Sequence, residues 1–482
     1  MRHLKAELKE ALLDKLRPGA EERRRTQSVA ERAVEAARRR AEELSVDVEV
    51  SLQGSIAKDT WISGDKDVDV FIRLPLSLGR RGLEEVGMKI ARGAAAALGE
   101  FIEGYAEHPY VQAFVEGYRI DLVPCFKLER VEEEATAVDR TPFHTEYVKS
   151  RLTDELRDEA RLLKGFTKGI GVYGAEIRVQ GFSGYLCELL TLHYGGFEGV
   201  LEAASRWRPW RVFIDPARHY SDPAEAAKLF SQPLVVIDPV DAKRNVAAAL
   251  SAQRMAEFTA ASRLFLKRPS ELFFYPPPPR EVGDLASSLK QRGTHLVAFK
   301  VPIARVAPDV LWGQLYKSME GLESLLHEHG FEVLDRSAWS DEGAVAVITF
   351  ELASLELAQL ARREGPPLDV EEHLHSFLRK HLGRDLKGPR LEGWRWVSFA
   401  PRRFTNAATL LRDGWHRARL GSLIHEGAER GLEVLVDGEV SRLASALEGY
   451  RKHLAEVLDG RPPWLRAFEE AFRGGIAEKR ES

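Results

Sequence analysis

Hydrophobic and polar residues follow a helical period at the start of the chain and a strand period soon afterwards. Residues 20–44 repeat apolar positions at helical spacing after Pro18, which predicts an amphipathic helix. Residues 46–53 and the segment KDVDVFIRL alternate apolar and polar side chains, which predicts two strands. A predicted helix, LEEVGMKIARGAAAALGEF, and a predicted hairpin, VQAFVEGYRIDLVPCF, follow. These elements indicate helices with a small antiparallel or mixed sheet.

The pattern becomes helical from about residue 150 to 265. Three segments predict helices there: DELRDEARLLKGFTKGIGVYG, SGYLCELLTLHYGGFEGVLEAASRW and DAKRNVAAALSAQRMAEFTAASRLFLK. Residues 276–279 are prolines, which end the helical pattern and mark a boundary.

Strand and helix patterns alternate again after the prolines. Residues near 293–355 predict strand, helix, strand and strand, as in a small ferredoxin-like or RRM-like unit. From residue 367 onward we expect helices around one strand, WRWVSFAP. The predicted fold class is therefore α+β, in several domains.

Composition places the chain among soluble globular proteins. Its 482 residues are enough for two to four domains, and 44% are hydrophobic while 30% are charged. No apolar run reaches the roughly 18 residues that a membrane span needs, and the charged N-terminus does not resemble a signal peptide. We therefore expect a cytoplasmic protein without a membrane partner. The net charge of −4 argues against a uniformly basic nucleic-acid binder.

Two aspartates share one face of the predicted strand KDVDVFIRL. Asp67 and Asp69 alternate with valines, and Asp121 occupies a similar position in YRIDLVP. An EF-hand loop would need Gly and Glu where the chain has Val70 and Leu76. Asp65 is compatible with an ordinary surface turn. Residues i and i+2 of a strand have Cα atoms about 6.7 Å apart and side chains that point the same way, so they could instead hold two Mg²⁺ ions for phosphoryl transfer.

The turn before this strand offers groups that bind phosphate. Gly54 and Ser55 follow a predicted strand and precede Lys58, although no P-loop motif is present. The order of strand, Gly-Ser, Asp-x-Asp and a later strand aspartate resembles the nucleotidyltransferase superfamily that includes DNA polymerase beta. The resemblance implies an enzyme that transfers a nucleotidyl group.

Further segments narrow this resemblance to one family. They are YAEHPYV, YRIDLVPCFKL, VDRTPFHTEYV, RLLKGF, GVYGAE, GFSGYLCELL and DPVDAKRNVAAAL, in order along residues 105–250. Together they resemble the archaeal, class I CCA-adding enzymes. The resemblance implies a nucleotidyltransferase head at residues 1–149, a helical neck at 150–268, and an α+β body and tail at 269–482.

The family resemblance also implies an activity and its residues. It implies template-independent addition and repair of C, C and A at the 3′ end of tRNA, from CTP and ATP. Asp67, Asp69 and Asp121 match the catalytic carboxylates that bind Mg²⁺. The positions that match nucleotide contacts are Gly54, Ser55, Lys58, His144, Lys164 and Tyr173, with Arg244 at the base edge. The tail is expected to join two subunits in a homodimer. Lys58 departs from the family, in which we expect arginine.

Two basic segments keep alternative interpretations. Arg161, Lys164 and Lys168 recur at helical spacing, as either a triphosphate-facing stripe or a solvated helix face. A C-terminal segment with Phe404 and Trp415 contains candidate RNA-binding residues or an ordinary charged surface. Those candidates are Arg402, Arg403, His416 and Arg417.

Two other functions remain open from the sequence. A poly(A) polymerase would share the carboxylates but would add a long A tail without CTP. A tRNA-binding protein without catalysis would have no use for a cluster of mutually repelling carboxylates.

Overall fold

The described residues of the computed structural model are 4–105, 109–131, 136–222, 228–279 and 285–466. They divide into two compact units: Met1–Pro278 with Arg461–Ser482, and Pro279–Gly460. Part of the segment YAEHPYV and the residues just after the prolines lie outside the described residues. No helix in the described ranges is long and apolar enough to cross a bilayer.

The first unit begins with two helices and a five-stranded mixed sheet. In chain order its elements are α1 (Ala6–Leu16), α2 (Ala20–Glu43), β1 (Glu49–Gln53), α3 (Gly54–Lys58), β2 (Asp67–Leu74), α4 (Gly79–Gly82), α5 (Met88–Leu98), β3 (Glu100–Tyr105), β4 (Pro109–Val115) and β5 (Tyr118–Phe126). The strand order is β1-β2-β5-β4-β3, with β2 parallel to β5 and the other pairs antiparallel. The mixed sheet and the hairpin predicted from the sequence are confirmed.

One face of this sheet is buried and the other carries polar groups. Val68, Val70, Ile120 and Leu122 pack in one cluster with apolar residues of α2 and α5. Successive strand residues point to opposite faces, so these residues leave their polar neighbours on the side away from both helices. The alternation in the sequence thus decides which face carries the aspartates.

Two sequence expectations for this region need correction. The helix expected through Phe101 ends at Leu98, because residues 100–105 pair with β4 as the edge strand β3. Helix α1 was not predicted, and its Leu12 and Leu16 pack in the core of the residues after 150. The expected head of residues 1–149 therefore shares its first helix with the expected neck.

The second part of the unit is helical with a small sheet. Its elements are α6 (Ala137–Lys149), α7 (Asp154–Gly169), α8 (Gly184–Tyr194), α9 (Phe197–Ala204), β6 (Val212–Ile214), β7 (Leu234–Asp238), β8 (Asp241–Asn245) and α10 (Ala252–Lys267). Phe166 lies at the centre of its core, with ring centroids of Phe197 and Phe265 within 5.6 Å. The prediction of a helix from Asp241 is wrong for residues 241–251, because α10 begins at Ala252 and residues 241–245 pair with β7.

Asn245 explains this difference from the sequence expectation. Its side-chain amide donates to the Leu234 carbonyl, and its side-chain oxygen accepts from the backbone N–H groups of Val236 and Ala247. These bonds close the strand pair, so tertiary contacts override the alanine-rich helical pattern.

The second unit contains a four-stranded antiparallel sheet and a three-stranded sheet. Its elements are α11 (Leu285–Arg292), β9 (His295–Pro302), α12 (Pro308–Glu328), β10 (Val333–Ser340), β11 (Val345–Leu352), β12 (Leu360–Pro367), α13 (Leu374–His381), β13 (Lys387–Glu392), β14 (Arg395–Pro401), α14 (Ala407–Gly414), α15 (Ser422–Gly431), β15 (Glu433–Val436), α16 (Gly438–Ala446) and α17 (Glu448–Asp459). The strand orders are β10-β11-β9-β15 and β12-β14-β13. The predicted series of strand, helix, strand and strand is present in ferredoxin-like order, whereas β12, β13 and β15 were not predicted.

Candidate active site

Three aspartates lie on the polar face of the mixed sheet. Asp69 lies directly beside Asp121 across the parallel strands β2 and β5. Asp67, two residues earlier on β2, lies beside Arg119. Paired residues of neighbouring strands point to the same face, so all four side chains share it. The sequence-predicted carboxylates are therefore brought together.

Burial makes this carboxylate group unfavourable without a cation. Burial raises the pKa of Asp69 to about 6, and the charges of Asp121 and Asp67 contribute to the rise while Lys58 opposes it. Burial also raises the pKa of Asp121. Among the described residues, the buried Oδ1 of Asp121 has no hydrogen-bond partner. Carboxylate oxygens whose negative charge is not fully balanced are suitable ligands for a hard divalent cation.

Arg119 provides positive charge on this face, and it was not among the residues predicted from the sequence. Its Nη2 lies 3.2 Å from Asp67 Oδ1, and its Nε lies 3.9 Å from Asp121 Oδ1. Within the described residues, no three His, Cys, Asp or Glu side chains converge on one point. The donor set fits divalent cations, but Asp67 would have to exchange Arg119 for the metal.

The Gly-Ser pair forms the start of the short helix α3, directly against the carboxylates. Gly54 has φ +67°, and a Cβ there would lie 1.8 Å from Asp69 Oδ2. Only glycine therefore allows the backbone to approach Asp69 this closely. Ser55 comes next in α3, and Lys58 ends the helix. The predicted turn is thus a five-residue helix.

The two predicted nucleotide-binding lysines share one buried acid. Lys58 Nζ lies 2.5 Å from Glu188 Oε2, and Lys164 Nζ lies 2.7 Å from Glu188 Oε1. The Thr60 hydroxyl donates to the same Oε1. Although burial acts to raise the pKa of Glu188, the charges of Lys164 and Lys58 lower it to about 2. Glu188 was not predicted from the sequence.

The other two members of the basic stripe pair with acids of residues 58–66. Arg161 is buried and bonds Asp59 through its Nη2, at 2.6 Å. Lys168 pairs with Asp65. Arg161 and Lys164 are buried and Lys168 is exposed, but all three pair with acids, so the stripe is not a row of free cations. Asp65 precedes β2 and serves the ion pair with Lys168.

A second buried acid joins the predicted residues His144 and Arg244. Asp238 Oδ2 lies 2.8 Å from His144 Nε2 and 2.6 Å from Arg244 Nη1. The Tyr185 hydroxyl donates to Asp238 Oδ1, and its ring stacks on His144 with centroids 4.3 Å apart. Burial lowers the pKa of His144, which favours a neutral imidazole.

The predicted nucleotide-binding residue Tyr173 lies near Lys164 and Lys168. A Cβ on Gly184 would lie 2.9 Å from its hydroxyl and 3.5 Å from Lys164 Cε. Lys168 Nζ lies 5.1 Å from the centre of the tyrosine ring.

Arg244 lines a cavity of about 780 Å³ in the second part of the unit. Ser183, Gln232 and Asn245 contribute polar groups to the same cavity, together with small alanines. Cavities of this size hold ligands as large as a nucleotide.

Three family models match the chain in succession. The nucleotidyltransferase domain matches residues 34–144, the second domain of tRNA nucleotidyltransferase matches 158–275, and the C-terminal domain of CCA-adding enzyme matches 292–437. The CCA-adding enzyme of Methanothermobacter thermautotrophicus is 41% identical over 428 residues, 88% of this chain and 92% of the relative. The chain belongs to the CCA-adding enzyme family. The Haloarcula marismortui CCA-adding enzyme is 40% identical, covering 92% of this chain and 96% of the relative.

Solved structures resemble part of the chain. The Cid1 poly(U) polymerase is 16% identical and covers 56% of this chain and 97% of its own, with a TM-score of 0.44. Family membership rests on the sequence relatives. It makes this protein a nucleotidyltransferase, a class of enzyme that generally uses divalent metals.

The predicted RNA-binding residues of this CCA-adding family member lie in the second unit. Arg402 donates to the carbonyls of His329 and Ala358, so its guanidinium joins backbone segments there. Arg403 stacks over Phe404, at 5.3 Å from the ring centre. His416 and Arg417 lie in one 3₁₀ turn.

Proposed function

We propose that this enzyme adds C, C and A to the 3′ end of tRNA from CTP and ATP, and repairs incomplete CCA ends. The observation that carries the proposal is the pair Asp69 and Asp121, side by side on neighbouring strands and short of positive charge. Gly54 brings the α3 backbone against this pair, and Lys58 at the end of α3 brings a cation near it. A carboxylate pair next to a lysine suits a metal-bound triphosphate.

The carboxylates hold the metal and the reacting hydroxyl in this proposal. Asp67, Asp69 and Asp121 would bind two Mg²⁺ ions, which lower the pKa of a 3′-hydroxyl and offset the charge of the triphosphate. Asp121 helps to remove the proton of the terminal 3′-hydroxyl. The bond from O3′ to the α-phosphorus forms as the bond to pyrophosphate breaks, and pyrophosphate leaves.

The neighbouring residues bind and select the nucleotide. Ser55, Lys58, Lys164, Tyr173 and His144 are assigned to the triphosphate and sugar side of the incoming nucleotide. Arg244 lines the cavity of about 780 Å³ and offers a fork of N–H donors to the base edge. Asp238 already holds one end of that fork, which supports a fixed orientation.

The assembly and location belong to the same proposal. The second unit exposes large apolar side chains around its three-stranded sheet, including Trp394 (69%), Leu382 (65%) and Leu386 (59%). Exposed apolar groups of this kind favour a contact with a second subunit. We propose that this surface joins two subunits in a homodimer. We also propose a cytoplasmic location and tRNA contacts from Arg403, His416 and Arg417.

One assay tests the activity against its alternatives. The full chain is incubated with Mg²⁺ and a tRNA that lacks its CCA end, with CTP, ATP or both, and products are resolved at single-nucleotide length. We expect two additions with CTP alone and three with both nucleotides. A ladder of A residues would indicate a poly(A) polymerase. Absence of any product would indicate a tRNA-binding protein.

A further inference from the structure

Glu188 is a fully buried acid that binds three donors. It lies on α8 with 0% exposure. Lys58 occupies one carboxylate oxygen, while Lys164 and Thr60 occupy the other. Lys164 also donates to the Thr60 hydroxyl at 2.9 Å. Both carboxylate oxygens therefore have specific donors.

The network around Glu188 contains more positive than negative charge. Burial lowers the pKa of Lys164, while the Glu188 carboxylate acts to raise it. With both lysines protonated the network carries a net charge of +1, although Lys58 is only 7% exposed and Lys164 only 2%. Nearby Asp59 and Asp65 are already paired with Arg161 and Lys168. Asp69, whose pKa Lys58 acts to lower, is the acid that the proposed function assigns to the metal. Buried charge is unfavourable unless it is paired. The excess charge is therefore suited to a bound anion.

The stability of the fold does not require two lysines on one buried acid. A buried acid needs only one cation, and buried ion pairs are often no more stabilising than apolar packing. A second lysine adds repulsion between two ammonium groups, which the shared carboxylate must offset. The less buried Lys58 belongs to α3, the same short helix whose Gly54 contacts Asp69. The network is thus connected to the carboxylate site.

We infer that Glu188 is a positioning residue that fixes the ammonium groups of Lys58 and Lys164 for the triphosphate of the incoming nucleotide. The inference rests on the proposed function, because it assigns the anion to that site. Glu188 does not touch the nucleotide. It favours the charged form of both lysines and holds them in place, and its own charge reduces their combined charge to +1.

The net charge of the network and the positions of the lysines have opposite expected effects on anion binding by Glu188→Gln. Removing the carboxylate raises the net charge of the network to +2, which by itself would strengthen the binding of an anion. Without the shared acceptor the two ammonium groups can move apart. They then no longer match the positions of the phosphate groups, which weakens the binding of the triphosphate. Our inference predicts that the displacement of the two lysines has the larger effect, so that the variant binds anions more weakly.

Calorimetric titration of the full chain with inorganic triphosphate, CTP, ATP and cytidine tests this inference. We expect Glu188→Gln to raise the Kd of all three triphosphates by a similar factor, roughly tenfold or more, because hydrogen bonds to charged groups are lost. The Kd of cytidine should not change. Glu271→Gln, which breaks an exposed ion pair with Lys15, is the matched control and should bind like the wild type.

Glu188→Asp separates charge from position. It keeps the net charge of +1 but withdraws the carboxylate by about 1.5 Å, the length of one carbon–carbon bond. We expect intermediate binding of inorganic triphosphate. Wild-type binding by Glu188→Asp, tighter binding by Glu188→Gln, or an equal loss for cytidine would overturn the inference. So would failure of both variants to fold, since Glu188 would then be needed for the fold itself.

The titration also distinguishes this inference from the proposed function. Inorganic triphosphate carries no base and needs no tRNA, so the ratio of wild-type to variant Kd values is independent of the reaction. If the wild type adds no nucleotide to tRNA, the proposed function fails while the ratio still tests Glu188.

Discussion

The backbone of Gly54 lies so close to Asp69 that a Cβ on the glycine would come within 1.8 Å of the Asp69 carboxylate. The residue also has φ +67°, which disfavours any L side chain. This contact ties the start of α3 to the carboxylate pair. The positions of Ser55 and Lys58, both on α3, therefore depend on it.

Gly54→Ala should strongly reduce the rate of nucleotide addition while leaving the protein folded. The methyl group must displace Asp69, so we expect the rate of addition to fall by roughly a hundredfold or more. The matched control is Gly64→Ala, because Gly64 has φ +89° and no atom within 4 Å of a Cβ. Both variants should lose about 1 kcal/mol through backbone strain. Equal rates in the two variants would contradict the role of the contact.

Asp69→Asn should stabilise the metal-free protein at neutral pH. Folding raises the pKa of Asp69 from 3.8 to about 6, so the ionised side chain destabilises the folded state above pH 6. This cost declines as the pH falls and disappears below about pH 4, where the folded and unfolded states are both protonated. Asparagine removes a cost of about 3 kcal/mol.

Thermal unfolding with a chelator present measures this difference. The Tm of Asp69→Asn should exceed that of the wild type by a few degrees at pH 7, and the two values should converge near pH 4. Added Mg²⁺ should raise the Tm of the wild type only. A wild type that is the more stable protein at pH 7 without metal would refute the expected carboxylate repulsion.

Asp238→Asn should impair nucleotide selection. Asp238 is fully buried and holds both His144 and Arg244, and a neutral amide cannot replace its charge. We expect kcat/KM for CTP and ATP to fall by roughly 10- to 100-fold, the size of a lost hydrogen bond to a charged group. Misincorporation of UTP and GTP should rise because Arg244 loses its fixed orientation.

Tyr185→Phe provides the control for this prediction. It removes one hydrogen bond to Asp238, at 3.1 Å, and keeps the ring that stacks on His144. Its loss in kcat/KM should be below tenfold, with selection unchanged. If Asp238→Asn keeps wild-type selectivity, then Asp238 supports the fold and does not orient Arg244.

Alternation of apolar and polar residues allowed the carboxylate face to be predicted. Val68 and Val70 are buried, as their period of two requires, and this places Asp67 and Asp69 together on the opposite face of one strand. The position of Asp121 beside Asp69 depends on strand pairing across about fifty residues, which periodicity within one strand does not determine.

The acids that organise the rest of the site were missed for a physical reason. Glu188 and Asp238 lie in apolar segments, LCELL and VVIDP, where the pattern only indicates burial. A buried acid requires a partner, so both positions carried a signal, but the sequence does not show which lysine, histidine or arginine would supply it. Strand β8 was mistaken for a helix because bonds from Asn245, and not local propensity, fix its conformation.

The most direct measurement is the single-turnover rate at which the first C is added to a tRNA lacking its CCA end, for the wild type, Asp69→Asn and Asp65→Asn. Asp65 is the matched control, since it precedes β2 and pairs with Lys168. We predict that Asp69→Asn loses a factor of roughly a thousand or more while Asp65→Asn stays close to the wild type. A rate for Asp69→Asn above roughly a tenth of the wild type, or an equal loss in Asp65→Asn, would contradict catalysis by this carboxylate group.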